Sequence, residues 1–255
     1  MQTSEILSRY DRYQRIELEE PEARREVTPH VVRLLRTAPR YNMIRYSWLD
    51  ENNADAVIAG EVEHFAGSGQ GLEWWLMEHD QPADLAERLA AHGFTLADEP
   101  GSLMALELAS APAELLAAPR ADVRPVGLEQ LDEVIAVEEQ VWGRDFSWLR
   151  TRLAEHLAIP GYLSMYAAYV GNRPACAGWL YFYGDNPFAE LFGGSTLPVY
   201  RGQGLYTAVL AARVQEAARR GCQFLTIDAS EMSRPIVARH GFRLLAHTFD
   251  FERNP

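Results

Sequence analysis

The sequence predicts an α/β chain in two similar halves, each with helices flanking a central sheet. Three observations predict it. Short β-branched and aromatic runs such as HVVRLLR, LEWWLM and PACAGWLYFY alternate with segments of helical period, for example Leu205, Val209, Leu210 and Val214. A glycine turn, Arg201-Gly202-Gln203-Gly204, joins one strand run to one helix run. Finally, a shift of 148 positions lays Ala91-His92-Gly93-Phe94 on Arg239-His240-Gly241-Phe242, Asp80 on Asp228, and the helix from Ala54 on the helix after Gly204.

In chain order, the charge-dense first thirty residues, RYDRYQRIELEE and then PEARREVTP, read as helix or as an arm packed on a neighbour. HVVRLLR and YNMIRYSWL read as strands. Ala54 to Phe65 reads as a helix with Val57, Ile58, Val62 and Phe65 on one side, broken by Gly67-Ser68-Gly69. LEWWLM is a strand, PADLAERLAAHGF a helix closed by Gly93, and SLMALEL a strand. The alanine- and proline-rich ASAPAELLAAPRA marks a boundary, which assigns residues 1–110 and 121–255 to two domains.

The second half opens with DVRPV as a strand, followed by helices over Leu128 to Trp142 and Ser147 to His156. YLSMYAAYV and PACAGWLYFY form a hairpin around Gly171-Asn172-Arg173. Next come the strand into the glycine turn and its helix, then QFLTID, the short helix SRPIVARHGF and a last strand in LLAHTFDFE.

Composition narrows the function classes. No apolar run approaches the roughly 18 residues of a membrane span, and MQTSEILSRYDRYQRIELEE has no signal-peptide core, so the expectation is a cytoplasmic protein with no membrane partner. The net charge is −12, and residues 1–120 carry 21 carboxylates against 11 arginines while the remainder carries 15 against 13. An acidic surface repels nucleic-acid phosphates; it serves solubility or favours cationic partners. Cys176 and Cys222 read as free thiols, and nothing in the spacing suggests a metal site.

The glycine turn carries the chemistry. Two glycines at a helix start let backbone amides face outward beside the positive end of the helix dipole, which makes an anion site fitted to a phosphate or pyrophosphate. A P-loop needs a lysine after its last glycine, and all 24 basic residues here are arginine. A dinucleotide fold needs a third glycine where Thr207 stands, and more strand-helix units than the 27 residues after Asp228 allow.

Arg201, Gly202, Gln203, Gly204 and Leu205, with Pro198 before them, match in order the Arg/Gln-x-x-Gly-x-Gly/Ala pyrophosphate loop of the GNAT superfamily of N-acetyltransferases, which this stretch resembles. The last position departs, with Tyr206 in place of a small residue. The resemblance implies a mostly antiparallel mixed sheet flanked by helices in each half. It implies acetyl-CoA as cosubstrate and coenzyme contacts from Arg201, Gly202, Gln203, Gly204, Leu205, Tyr206 and Thr207. At the same shift Asn53-Ala54-Asp55-Ala56 stands opposite the loop, so the first half keeps the scaffold and lacks the glycines. The expected architecture is therefore a tandem of one degenerate and one intact GNAT domain.

Acetyl transfer from a thioester to an amine needs a neutral amine, a stabilised oxyanion and a proton for the departing thiolate. Glu190, 11 residues before Arg201, resembles the general base that many GNAT enzymes place on that strand. The resemblance puts oxyanion stabilisation at the backbone of Gly194, Ser195 and Thr196, where Gly193-Gly194 fits a bulge. The tyrosine that many members carry four residues before Gly-Phe as general acid is Val237 here. Tyr183, Tyr206 and Ser233 are other possible donors, and none is singled out; His240 and His92 read as helix-end residues. Trp179, Tyr181 and Tyr183 alternate onto one face of their strand, and Trp142 and Trp148 approach an acceptor pocket from the helical segment. The expected activity is N-acetylation of a small-molecule or peptide amine by direct attack in a ternary complex, as monomer or homodimer. The alternative is a catalytically silent acyl-CoA-binding or interaction module.

Overall fold

The computed structural model describes residues 1–37 and 40–255, which form two compact units. The first comprises residues 1–104, 228–236 and 243–255; the second comprises residues 105–227 and 237–242. The last strand of the chain is thus grouped with the first unit.

In the first unit, α1 (Thr3–Tyr10) runs into a π-helical turn over Asp11–Ile16. Ile6 and Tyr10 point inward, and so does Arg15, a charge that survives burial because Asp80 and Asp11 both accept from its guanidinium, at 2.5–2.9 Å. The reading of PEARREVTP as helix or arm is corrected here: Ala23–Val27 is strand β1, paired antiparallel with β2 (Val31–Arg36). Its charged composition hides the strand, because an edge strand carries charges that discourage pairing with other chains. Arg33 of β2 binds Glu26 of β1 and Glu61, so part of the acidity of this half is neutralised in ion pairs.

Next come β3 (Asn42–Ser47), α2 (Ala54–Ala66), β4 (Leu72–Met77), α3 (Leu85–Ala91), the two-residue β5 (Thr95–Leu96) and β6 (Gly101–Glu107). Strands β1-β2-β3-β4 lie side by side, and β4 pairs with the last strand of the chain, β12 (Arg243–Arg253). The pairs are antiparallel except β3 and β4, which are parallel and joined through α2. Ile58 and Phe65 of α2 pack with Ile44, Trp74, Leu76 and Leu85 into one core.

The second unit begins with α4 (Ala113–Leu116) and β7 (Asp122–Val126), continues through α5 (Leu131–Trp142) and α6 (Ser147–Leu157), and reaches the meander β8 (Leu163–Val170), β9 (Arg173–Phe182) and β10 (Phe188–Thr196). Gly171 and Asn172 form the two-residue loop of the β8-β9 hairpin, with Val170 opposite Arg173. Helix α7 (Leu205–Arg219) leads to β11 (Phe224–Ala229) and then α8 (Arg234–Arg239). The order is β11-β10-β9-β8-β7, again antiparallel except for one pair, β10 and β11, whose crossover is α7. Helices α5 and α6 bury Val134, Val137, Leu149 and Leu153 against Met165, Trp179 and Tyr181. Leu205 and Val209 of α7 pack with Ala168 and Cys176. Each unit is a mostly antiparallel mixed sheet flanked by helices, as expected.

Candidate active site

Two backbone features adjoin the start of α7. The first is the loop. After a single 3₁₀ turn over Pro198–Tyr200, Gly202 (φ 74°) and Gly204 (φ 77°) take left-handed conformations that L side chains adopt only with strain. Among the described residues, a Cβ built on either glycine meets no atom within 4 Å beyond its own chain neighbours, so open space faces the loop where α7 begins. The arginine of the turn is occupied: Arg201 Nε donates to the Thr196 carbonyl at 3.2 Å, tying loop to strand. Tyr206, the departure from the family pattern, turns its ring inward toward β10, so that a Cβ on Gly194 would sit 2.9 Å from it. Its backbone amide stays in the first turn of α7.

The second feature is the bulge in β10. Pairing with β9 steps from Gly193↔Gly178 to Ser195↔Ala177, skipping one residue, and both Gly193 (φ 67°) and Gly194 (φ 91°) are left-handed. Among the described residues, the parallel pairing with β11 extends only from Phe188↔Phe224 to Glu190↔Thr226, while β10 itself runs on to Thr196. The segment containing Gly194, Ser195 and Thr196 therefore lies beyond that pairing, beside the glycine loop in sequence.

Glu190 is the last residue of the parallel pairing, at 9% exposure. Tyr183 donates its hydroxyl to Glu190 Oε2 at 2.9 Å, and Glu190 lies opposite Tyr181 in the antiparallel register. Around them Tyr162, Tyr181, Tyr183 and Phe192 form a cluster of rings with centroids 5.0–6.4 Å apart. Trp179 and Tyr181 are core residues, whereas Trp142, Trp148 and Phe192 are exposed. Val237 is fully buried. Ser233 hydrogen-bonds Ser230 within the first unit, and Tyr183 is engaged with Glu190.

The structure adds two residues that sequence reasoning missed. Glu138 of α5 is 3% exposed, and its Oε2 accepts from the Ser195 hydroxyl at 2.7 Å and from Trp142 Nε1 at 3.1 Å; among the described residues Oε1 has no hydrogen-bond partner. Burial pushes its carboxyl above the ordinary glutamate range, opposed by the hydrogen bonds from Ser195 and Trp142. On the opposite side Arg213 of α7, 1% exposed, donates to the carbonyls of Phe192 (3.2 Å) and Trp179 (3.4 Å), holding β10 and β9 together at the bulge. Burial lowers its pKa. Cys176 lies buried near this region, its thiol pushed up to about 11 by burial, which makes it inert at neutral pH; Cys222 is also a free thiol. Signals for both missed residues existed. Glu138 and Trp142 stand at i and i+4, and Arg213 interrupts the apolar face of Val209, Leu210 and Val214.

The glycine loop and the bulged strand both lie within a segment that matches a known family. Residues 129–242 match the model of the acetyltransferase (GNAT) family. This segment is a GNAT acetyltransferase domain. The whole chain is similar in fold to a GCN5-related N-acetyltransferase from Kribbella flavida, at 18% identity and TM-score 0.71, covering 99% of this chain and 96% of that one. It is also similar to a tandem GNAT protein from the clavulanic acid biosynthesis pathway, at 15% identity and TM-score 0.63, covering 98% and 86%. A GCN5-related N-acetyltransferase from Sphaerobacter thermophilus matches at 13% identity and TM-score 0.58, covering 90% and 82%. No curated protein matches the chain. The GNAT family as a whole carries out acyl-CoA-dependent acetyl transfer. Among the described residues no helix is long and apolar enough to cross a membrane.

Proposed function

We propose that the chain is an acetyl-CoA-dependent N-acetyltransferase whose second unit transfers the acetyl group to an amine by direct attack in a ternary complex. The observation that carries the reading is the pairing of the open Gly202–Gly204 loop with the Gly193–Gly194 bulge: one offers amides to the pyrophosphate, the other offers strand backbone to the thioester. Arg201 through Thr207 would hold the pyrophosphate. Gly194, Ser195 and Thr196 would receive the carbonyl oxygen as it gains charge. Glu190 would take the proton of the acceptor ammonium, directly or through water, while Tyr183 orients its carboxylate. The acceptor is a small-molecule or peptide amine, and the protein acts without nucleic acid or membrane, in the cytoplasm.

The parallel pairs β3-α2-β4 and β10-α7-β11 support a tandem reading, in which the first half keeps the strand-helix-strand crossover and has lost the glycine loop. The fully buried Val237 favours a second reading, a silent acyl-CoA-binding module, because that position offers no hydroxyl to the thiolate. Incubation with acetyl-CoA and a panel of amines decides between them. Acetylated amine with stoichiometric free thiol supports the enzyme; coenzyme binding with thiol release at background across the panel supports the module.

A further inference from the structure

We propose that His240, held by Glu114, sets the direction of the Thr207 hydroxyl at the start of α7 and thereby links coenzyme affinity to protonation of this imidazole. The inference rests on the reading of Gly202 to Thr207 as the pyrophosphate site. Three side chains from separate elements make it. Gly241, left-handed at φ 88°, closes α8 against Pro112, and this delivers the preceding His240 between α4 and α7. There Nδ1 lies 2.9 Å from Glu114 Oε1 and Nε2 lies 3.3 Å from Thr207 Oγ1. The imidazole is 13% exposed, whereas Glu114 reaches solvent at 56%. The other titratable groups near it are Tyr206 on α7, with ring centroids 6.3 Å apart, and Arg239, its exposed neighbour in sequence.

Hydrogen-bond direction couples the ring to the loop. An ionised Glu114 only accepts, so Nδ1 carries a proton in either state of the ring. In the neutral ring Nε2 is a bare lone pair, and Thr207 gives it its single hydroxyl proton. Thr207 then shows only lone pairs outward, the wrong polarity for a phosphate oxygen. When the ring is protonated, Nε2–H donates to Thr207 Oγ1. The hydroxyl proton is then released toward the helix start, and the imidazolium adds a positive charge near the site. Phosphate binding therefore prefers the imidazolium. By linkage, affinity must fall as the ring loses its proton, and binding must favour proton uptake. This differs from a helix-end role, in which a histidine only stabilises its own helix.

The probe is dephospho-coenzyme A, because the 3′-phosphate of coenzyme A ionises near pH 6 and would add its own slope. Calorimetric titration of the full chain at pH 6, 7 and 8, in two buffers of different ionisation enthalpy, measures affinity and proton uptake together. Affinity is expected to fall about tenfold from pH 6 to pH 8, with a fractional proton taken up on binding. His240→Gln should be flat over this range. Thr207→Val should bind more weakly at pH 6 and keep only the shallower slope due to charge alone. A flat wild-type profile, or an undiminished slope in either variant with its thermal melt intact, overturns the proposal. Thr207→Val tests it even where His240→Gln fails to fold. No binding by wild type at any pH would instead refute the pyrophosphate reading.

Discussion

Gly204→Asp tests the coenzyme site most directly, because the structure lets its effects on stability and on binding be separated. Gly204 has φ 77° and is the residue from which α7 starts, with no atom of the described residues beyond its chain neighbours within 4 Å of the added Cβ. The folding cost is therefore confined to the left-handed backbone, about 1 kcal/mol, since Asp tolerates this region better than most residues. For a chain of this size that is a fall in Tm of roughly 2–4 °C. Binding suffers more. A carboxylate at an exposed site about 4 Å from a phosphate repels it by about 1 kcal/mol per charge pair. A pyrophosphate presents two charges, and the displaced anion also gives up roughly 1.5 kcal/mol for a charge-assisted bond to a loop amide. The total of about 3.5 kcal/mol predicts a coenzyme Kd raised roughly 300-fold. Calorimetry on wild type should give one coenzyme per chain, and the variant should bind weakly or below detection while melting within a few degrees of wild type. A Kd within about threefold of wild type in the folded variant would show that the anion does not sit at this helix start.

Three further outcomes follow from the same geometry. Glu190→Gln keeps shape and the Tyr183 contact but removes the basic site, so coenzyme affinity should hold while kcat drops about 10²- to 10⁴-fold and the acidic limb of kcat/KM disappears; turnover within about twofold of wild type would make Glu190 structural. Gly193→Ala adds a Cβ that collides with the Trp179 ring as well as left-handed strain, so urea unfolding should show a loss of about 2–4 kcal/mol, against about 1 for Gly202→Ala, which meets no described residue beyond its chain neighbours; equal losses would mean the ring yields freely. Burial raises the Glu138 carboxyl in the folded state above its unfolded value, so the folded protein holds that proton more tightly and this group favours folding less as pH rises through its titration. Glu138→Gln cannot ionise, so its stability relative to wild type should improve from pH 5 to pH 8; a pH-independent difference would contradict the assignment.

How much of this was legible in the sequence depends on whether a residue's role is local. The glycines were, because a left-handed backbone selects glycine wherever it occurs: Gly202, Gly204 and Gly193-Gly194 announce turn and bulge without reference to anything distant. Strand β1 was not, since Arg24, Arg25 and Glu26 carry no periodic apolar signal and find their place only through the ladder with β2. Arg213 and Glu138 show the limit most clearly. Each is a charged residue on the apolar face of its helix, where the pattern marks the position without naming its partner, and each is buried because it meets a partner far away in sequence: Arg213 the carbonyls of Trp179 and Phe192, Glu138 the hydroxyl of Ser195. An isolated buried charge costs several kcal/mol, so such positions persist only where the fold supplies acceptors or donors. Both sit against the bulge of β10, where departure from regular pairing leaves backbone groups in need of side-chain partners. The irregularity of β10 is thus met by buried charged side chains from two helices, and it is their distant partners that are least visible before the fold is known.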